Sequence, residues 1–287
     1  MPVKLAENQY GKSHVRLVKV ERHGSRHDLK DLSLDIQLSG DFAAAYAEGE
    51  NARVLPTDTM KNTVYALARR QPLGEIEEFG ERLAGHFLTG NAQARRVRVA
   101  ISQNTWARIR VGGEEHDHAF IRAGGERRTT AIEQDRQGEI GMTVRSGIAD
   151  LAVLKTSRSA FQGFLHDEYT TLEDAPDRLL STAVEAEWTY TPGAPGGRRY
   201  GDMWRAARQT ILEVFANHDS RGVQHTLYAM GSAILERVPE ITRIELSLPN
   251  RHCHRVDLAP FGLDNPNQVF APADEPYGLI RAVLERS

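Results

Sequence analysis

Leu55-Pro56-Thr57-Asp58-Thr59-Met60-Lys61-Asn62-Thr63-Val64-Tyr65 has the chemistry of a helix start. Proline, threonine and aspartate come first, and Met60, Val64 and Leu67 then recur at helical spacing. Upstream, His14–Val20 is apolar and β-branched, and Asp31–Leu38 alternates as a half-buried strand does. Downstream, Ile76, Phe79, Leu83 and Phe87 make a second helical stripe, and Arg95–Ile101 alternates again. The same order returns later in the chain. Ile148–Leu154 and Thr182–Tyr190 read as strands separated by a long insert, Lys155–Arg178. Trp204, Ala207, Ile211 and Phe215 form a helical stripe with Asp202 as its candidate N-cap. Ser220-Arg221-Gly222-Val223-Gln224-His225-Thr226-Leu227-Tyr228 opens another, which Pro239 ends, and Ile241–Leu248 follows as a strand. The repeated plan predicts an α+β protein of two domains, 1–146 and 147–287, with the switch near Ser146-Gly147.

With 287 residues, 40% of them hydrophobic, and a net charge of −3, the chain reads as globular. That balance gives no electrostatic reason to expect nucleic acid or an anionic membrane as partner. A single cysteine, Cys253, excludes an intrachain disulfide framework and suits a reducing compartment. Met1–Asn8 lacks the apolar run of a signal peptide, and no stretch approaches the ~20 apolar residues that span a bilayer. The last residues, Leu284-Glu285-Arg286-Ser287, are not a Ser-Lys-Leu peroxisomal address. A cytoplasmic protein is the expectation.

Helix N-termini present unpaired N–H groups and partial positive charge. Two such starts facing each other would hold a small planar anion edge-on. Arg178 adds a planar fork of donors, and Gln224 adds one donor and one acceptor. Taken alone, each is far more often an ordinary surface side chain. Thr57 reads as a helix cap and Lys12 as a solvated strand residue. Asn250 and His252 alternate on one strand and so share a face. Phe161 and Phe164 are both candidate stacking platforms or core aromatics, and physics alone does not separate them. His252, His254 and His225, or His116 with His118, have spacings that occur among metal ligands, but neither set has a well-placed third member. Gly112-Gly113 and Gly193–Gly197 read as hairpin or loop tips, and no flavin, nicotinamide or phosphate-loop fingerprint is present.

Several words, in order, resemble the urate oxidase (uricase) family. They are Tyr-Gly-Lys at 10–12, Thr-Asp-Thr-Met-Lys-Asn-Thr at 57–63, Phe-Ile-Arg at 120–122 and Gly-Phe-Leu-His-Asp-Glu-Tyr-Thr-Thr-Leu at 163–172. Asp-Arg-Leu-Leu-Ser-Thr at 177–182, Ser-Leu-Pro-Asn-Arg-His at 247–252 and Phe-Ala-Pro at 270–272 complete the set, which covers nearly the whole chain. The resemblance implies two tandem tunnelling-fold domains of ββααββ plan. Their antiparallel sheets carry helices on one face and close into a barrel only on oligomerisation. It implies oxidation of urate by dioxygen and water to 5-hydroxyisourate and hydrogen peroxide, with no cofactor and no metal. Lys12, Thr57 and His252 would be catalytic, with Lys12 activating the threonine hydroxyl and His252 passing protons to that pair. Substrate would be held by Thr57, the Asp58 and Val223 amides, Arg178, Gln224 and a stacked Phe161, while Asn250 holds water or dioxygen above the ring. A homotetramer with sites at subunit interfaces is implied. Cys253-His254 departs from the bulkier aromatics that many relatives have there. The alternatives are a zinc-dependent enzyme of the same fold acting on a pterin or purine, and a non-enzymatic nucleotide- or RNA-binding module using the arginines at 95, 96, 98, 108 and 110.

Overall fold

The alternation over 31–38 becomes a strand in which Leu32, Leu34, Ile36 and Leu38 are fully buried, while Ser33, Asp35 and Gln37 between them are only half-buried. The computed structural model describes residues 3–136, 141–191 and 199–286. Its contacts divide the chain into two units, Met1–Gly147 with Thr189–Asp202, and Ile148–Trp188 with Met203–Ser287.

In the first unit, β1 (Tyr10–His23), β2 (Arg26–Gly40), β3 (Ala94–Val111) and β4 (Glu114–Asp135) pair antiparallel in chain order. A short α1 (Ala43–Ala47), then α2 (Thr57–Arg70) and α3 (Ile76–Gly90), lie between β2 and β3. Met60 and Val64 of α2, and Ile76, Phe79, Leu83 and Phe87 of α3, pack with the apolar sides of the strands into one core. Val97 and Val99 of β3 belong to it. The alternate Arg96 and Arg98 turn away and pair with Asp135 and Glu133. Period-2 burial therefore has a physical cause here: helices cover one side of the sheet, and the other side keeps charge.

The rest of the chain supplies β5 (Met142–Lys155), β6 (Leu180–Tyr190), α4 (Arg199–Asn217), α5 (Val223–Arg237), β7 (Ile241–Arg255) and β8 (Phe270–Glu285). β7 and β8 pair antiparallel. α5 lies so close upon them that a Cβ at Gly231 would sit 2.9 Å from the methyls of Leu284 and 3.2 Å from Leu246. Trp204, Ala207, Ile211 and Phe215 of α4 are all buried, as their spacing predicts.

Two expectations change. Asp202 is not the N-cap of α4. The helix begins at Arg199, and Asp202 lies in its first turn, where a carboxylate is still favoured by the helix dipole. β8 is a strand the periodicity did not reveal, because Pro272 and Pro276 interrupt it. Proline is tolerated at the edge of a sheet, and β8 is last in the strand order. Gly112-Gly113 does form the tip between β3 and β4, with both glycines at positive φ. Gly193–Gly197 lies outside the described residues.

The first unit buries an ion network that no spacing announced. Glu77 is fully buried and accepts from Arg128 Nη2 at 2.6 Å and from the hydroxyl of Ser146. Arg128 Nη1 reaches Glu75 at 2.6 Å. Burial pushes the Glu77 carboxyl above the usual carboxylate range, and Arg128 opposes this. Removing one partner from such a cluster leaves a buried charge unmatched. Arg128→Met is expected to destabilise the unit by about 3–5 kcal/mol, read as a lower urea midpoint with an unchanged m-value.

Candidate functional site

In the second unit the insert between β5 and β6 is not free loop. Three short segments are laced together by backbone bonds. Ser220 donates its N–H to the Arg158 carbonyl at 3.0 Å, and Ala160 donates back to the Ser220 carbonyl at 2.8 Å. Phe161 and Ala175 exchange both of their bonds, at 2.8 and 2.9 Å, and Arg178 donates to the Ser159 carbonyl at 2.8 Å. The Asp177 carboxylate fixes the same junction, accepting from the Ser159 amide at 3.0 Å and from the Ser157 hydroxyl at 2.9 Å. The Ser159 amide, followed by the Ser157 hydroxyl, holds that carboxyl below its usual value. This lacing brings Phe161, Arg178 and the start of α5 to one place.

At that place the Arg178 guanidinium carbon sits 5.0 Å from the Phe161 ring centre. Burial lowers the affinity of Arg178 for its proton, and its Nε is buried with no hydrogen-bond partner among the described residues. A buried donor left without an acceptor is costly, so a half-buried arginine in this state fits an acceptor supplied from outside the chain. A Cβ on Gly222 would lie 3.5 Å from Gln224 Oε1 and 3.7 Å from the Phe161 ring, so the amide and the aromatic meet beside bare backbone. Gly222 is the N-cap of α5 and offers no side-chain cap. The first-turn amides of Val223, Gln224 and His225 carry no hydrogen bond to protein among the described residues. Phe164 stacks on Phe161 at 4.9 Å and on His166 at 4.8 Å. Phe161 is therefore the ring that meets Arg178 and Gly222, and Phe164 backs it.

Asn250 and His252 lie on β7, half-buried, opposite Gly278 and Ala273 of β8. The register shifts between them, with the extra residues on β8. The His252 imidazole is pushed below its ordinary value by burial first, then by His254 and by Arg178. His252 thus shares an electrostatic neighbourhood with Arg178. His225, weighed above as a companion ligand to His252 and His254, instead faces His218 at 3.2 Å. The His116 and His118 rings meet edge to face, with centroids 4.6 Å apart. Among the described residues no group of three or more His, Cys, Asp or Glu side chains is placed to hold a metal ion.

The first unit assembles a second group. In Tyr10-Gly11-Lys12, each residue has a separate task. The Tyr10 hydroxyl accepts the Leu55 N–H at 2.9 Å, and its ring packs edge-on to Phe42. Gly11 is required by contact, since a Cβ there would fall 1.8 Å from the Ile36 carbonyl oxygen. β1 is thereby held against both β2 and the segment entering α2, which sets half-buried Lys12 near that helix start. Thr57 is not a cap. It is the first helical residue, behind an N-cap of Pro56 that has no side chain to donate or accept. The amides of Thr57, Asp58 and Thr59 have no protein acceptor among the described residues. The Asp58 carboxylate is engaged along its own helix by Lys61 and by Asn62 at 3.1 Å. Lys61 is the main cause of its lowered pKa, and Lys12 adds a smaller effect.

Sequence reading missed Ser220. It is fully buried, and its Oγ accepts the Thr226 hydroxyl at 2.7 Å and donates to the Gly222 carbonyl at 3.1 Å. It ties the Phe161 strand to the first turn of α5. The only available signal was a serine two residues before a glycine at a helix start, which reads as generic turn chemistry.

A family model described as Uricase matches residues 8–133 and 144–281. A uricase from Arthrobacter globiformis is 45% identical over 284 residues, covering 99% of this chain and 90% of its own. One from Dictyostelium discoideum is 35% identical over 285 residues, covering 99% and 98%. The crystal structure of the Arthrobacter globiformis uricase aligns with a TM-score of 0.93, covering 100% of this chain and 96% of that one. A uricase structure from Bacillus fastidious aligns at 0.81 with 25% identity, covering 97% and 93%.

Proposed function

The chain belongs to the uricase family, and from that premise we propose how it oxidises urate. It is a urate oxidase: urate, dioxygen and water give 5-hydroxyisourate and hydrogen peroxide. Two electrons leave the purine, dioxygen is reduced to peroxide, and water supplies the new hydroxyl oxygen. The reading is carried by the half-buried Arg178, its Nε without an acceptor among the described residues, set against Phe161 and the start of α5, whose N-cap makes no side-chain hydrogen bond.

In this reading Arg178 and Gln224 grip the edge of the urate anion, the Val223 amide adds a donor, and Phe161 stacks on the ring. The Thr57 hydroxyl and the Asp58 amide bind the opposite edge. Lys12 draws the proton through Thr57, and His252 exchanges it with solvent. Asn250 positions water or dioxygen above the ring. The dianion so formed is electron-rich enough to reduce dioxygen directly. The protein then has three tasks, namely to orient, to deprotonate and to keep competing water out. No organic cofactor or metal has a part in this scheme.

We also propose the assembly. The element order, strand–strand–helix–helix–strand–strand in each half of the chain apart from the short α1 and a 3-10 turn at Ala259–Phe261, supports two tandem tunnelling-fold domains, 1–146 and 147–287. Their sheets close into a barrel between subunits, two barrels stack as a homotetramer, and each site lies at an interface. Lys12, Thr57 and Asp58 come from one subunit, and Phe161, Arg178, Val223, Gln224, Asn250 and His252 from its neighbour. A cytoplasmic location is part of the proposal. No described helix is long and apolar enough to cross a membrane.

The direct test follows urate absorbance, oxygen uptake and peroxide together after dialysis against a strong chelator. One oxygen consumed and one peroxide formed per urate is expected, and activity that returns only with added zinc or copper would contradict the metal-free scheme. Arg178→Gln is expected to weaken binding of 8-azaxanthine, a planar purine mimic, by roughly 2–5 kcal/mol, because a charge-assisted contact leaves a desolvated site. Titration calorimetry reads this, and unchanged affinity would remove Arg178 from the clamp. For the shared site, Thr57→Ala and Arg178→Gln, each poorly active alone, are unfolded and refolded together. In a mixed dimer one site collects both lesions and the other neither, so activity should return to about a quarter of wild type. Chains shown by mass spectrometry to have mixed, yet inactive, would refute sharing.

A further inference from the structure

α5 begins at Val223, and its first turn is held from outside by two imidazoles. His225 Nδ1 has two donors aimed at it: His218 Nε2 at 3.2 Å, and the backbone N–H of Arg221 at 3.4 Å. The two rings lie 4.3 Å apart, nearly edge to face. The Arg221 amide can only donate, so Nδ1 must hold a lone pair. His225 is then the neutral tautomer protonated on Nε2, and His218 carries its proton on Nε2. His218 is itself anchored at the end of α4: its N–H donates to the Val214 carbonyl at 2.9 Å, and its carbonyl accepts Lys155 Nζ at 2.7 Å. A continuous path of bonds thus runs from β5 and α4, through the histidine pair, to the turn that presents Val223 and Gln224.

We propose that His218 and His225 form a latch, closed only while His225 Nδ1 keeps its lone pair, that positions the first turn of α5 for anion binding. The proposal rests on the reading of that turn as part of the urate site. His225 is a positioning residue in it, since the amides and side chain that meet the anion belong to its neighbours. A proton added at His225 Nδ1 would set N–H against N–H twice, toward His218 and toward Arg221. The surrounding charges act on His218. Lys155 from β5, Arg158 from the laced segment and Arg221 from the turn are cationic. Asp219 opposes them, and Asp177 faces Lys155. Glu213, one turn before Asn217 on α4, is engaged by Gln209 and Arg237. Burial first, then His225 and Lys155, holds His218 below the ordinary histidine value. The sign follows. The closed latch requires the lone pair at His225 Nδ1, so proton uptake at that atom favours the open form. The latch therefore opens on acidification.

The test measures 8-azaxanthine affinity of the whole enzyme by titration calorimetry between pH 8 and about pH 5.5. His225→Asn places an amide oxygen where Nδ1 was, keeping the acceptor without a titrating group. His218→Gln keeps a donor that can turn over to accept, so it serves as a second route should the first variant fold poorly. At pH 8 both should bind like wild type, and His225→Ala should bind a few-fold more weakly. On acidification wild type should lose about fivefold more affinity than either conservative variant, the worth of roughly one hydrogen bond. Any titration of His252 or of the ligand is common to all and cancels in the comparison. Wild type and both conservative variants with parallel pH profiles would overturn the latch. Gln224→Ala, run alongside, separates the two claims: unchanged affinity in that variant overturns the site reading itself, whatever the histidines do.

Discussion

An α-helix cannot satisfy the N–H groups of its own first turn, and most helices spend a side chain on the problem. α2 and α5 do not. One has proline as its N-cap and the other glycine, neither with a side-chain hydrogen bond to the first turn. The contrast with α3 is internal to the molecule. There Glu75 and Glu78 form a reciprocal capping box that gives the amides of both residues side-chain acceptors. α3 serves the core and the buried ion network, and its start is capped by its own side chains. The two helices that begin beside Lys12 and beside Arg178 keep their donors open, and the surrounding structure is arranged to hold those open ends still.

Holding them still is expensive in local design. Around α5 it takes a buried serine, two carbonyl exchanges across short strands, an aspartate that accepts from two donors and a histidine pair. Around α2 it takes the Tyr10 hydroxyl on the Leu55 amide and a glycine at which no Cβ fits. None of these groups contacts an anion in the proposed scheme. They explain why the residues flanking a binding word can be as specific as the binding residues: Tyr and Gly in Tyr-Gly-Lys, and Asp in Asp-Arg-Leu, fix the backbone from which Lys12 and Arg178 reach out.

Much of the fold was legible because burial imposes a period. Leu32, Leu34, Ile36 and Leu38, and likewise Ile76, Phe79, Leu83 and Phe87, write the face they bury directly into the sequence. What escaped had no period to write. β8 is broken by prolines, and the Glu77–Arg128–Glu75 network joins charged residues far apart in sequence, each indistinguishable from a surface charge. The site shows the same split. Arg178, Gln224, Asn250 and His252 stood out only as members of ordered words, and their residue types alone were compatible with solvated surface. Residue type alone did not separate Phe161 from Phe164; in the structure Arg178 and Gly222 lie against the first, and the second stacks on it. Thr57, by contrast, looked like a cap from its neighbours, and the reading failed because Pro56 takes the capping position.

The cations of the second unit follow one logic. Arg178 is half-buried with an Nε that has no partner among the described residues, His252 is depressed by burial first and then by His254 and Arg178, and His218 is depressed in the same sense. Fixed positive charge with few compensating carboxylates makes a site that a neutral or cationic ring enters at a loss and an anion enters at a gain. The same field works on the reaction. Removing a second proton from an already anionic purine builds negative charge, and positive groups held in place before the substrate arrives stabilise that charge without reorganising. A histidine whose proton affinity is lowered in such a field is a weaker base that, once protonated, gives the proton up readily. His252 is held in this state by burial first, with His254 and Arg178 adding to it, and in the proposed scheme this suits its part as a proton relay beside the guanidinium that grips the anion.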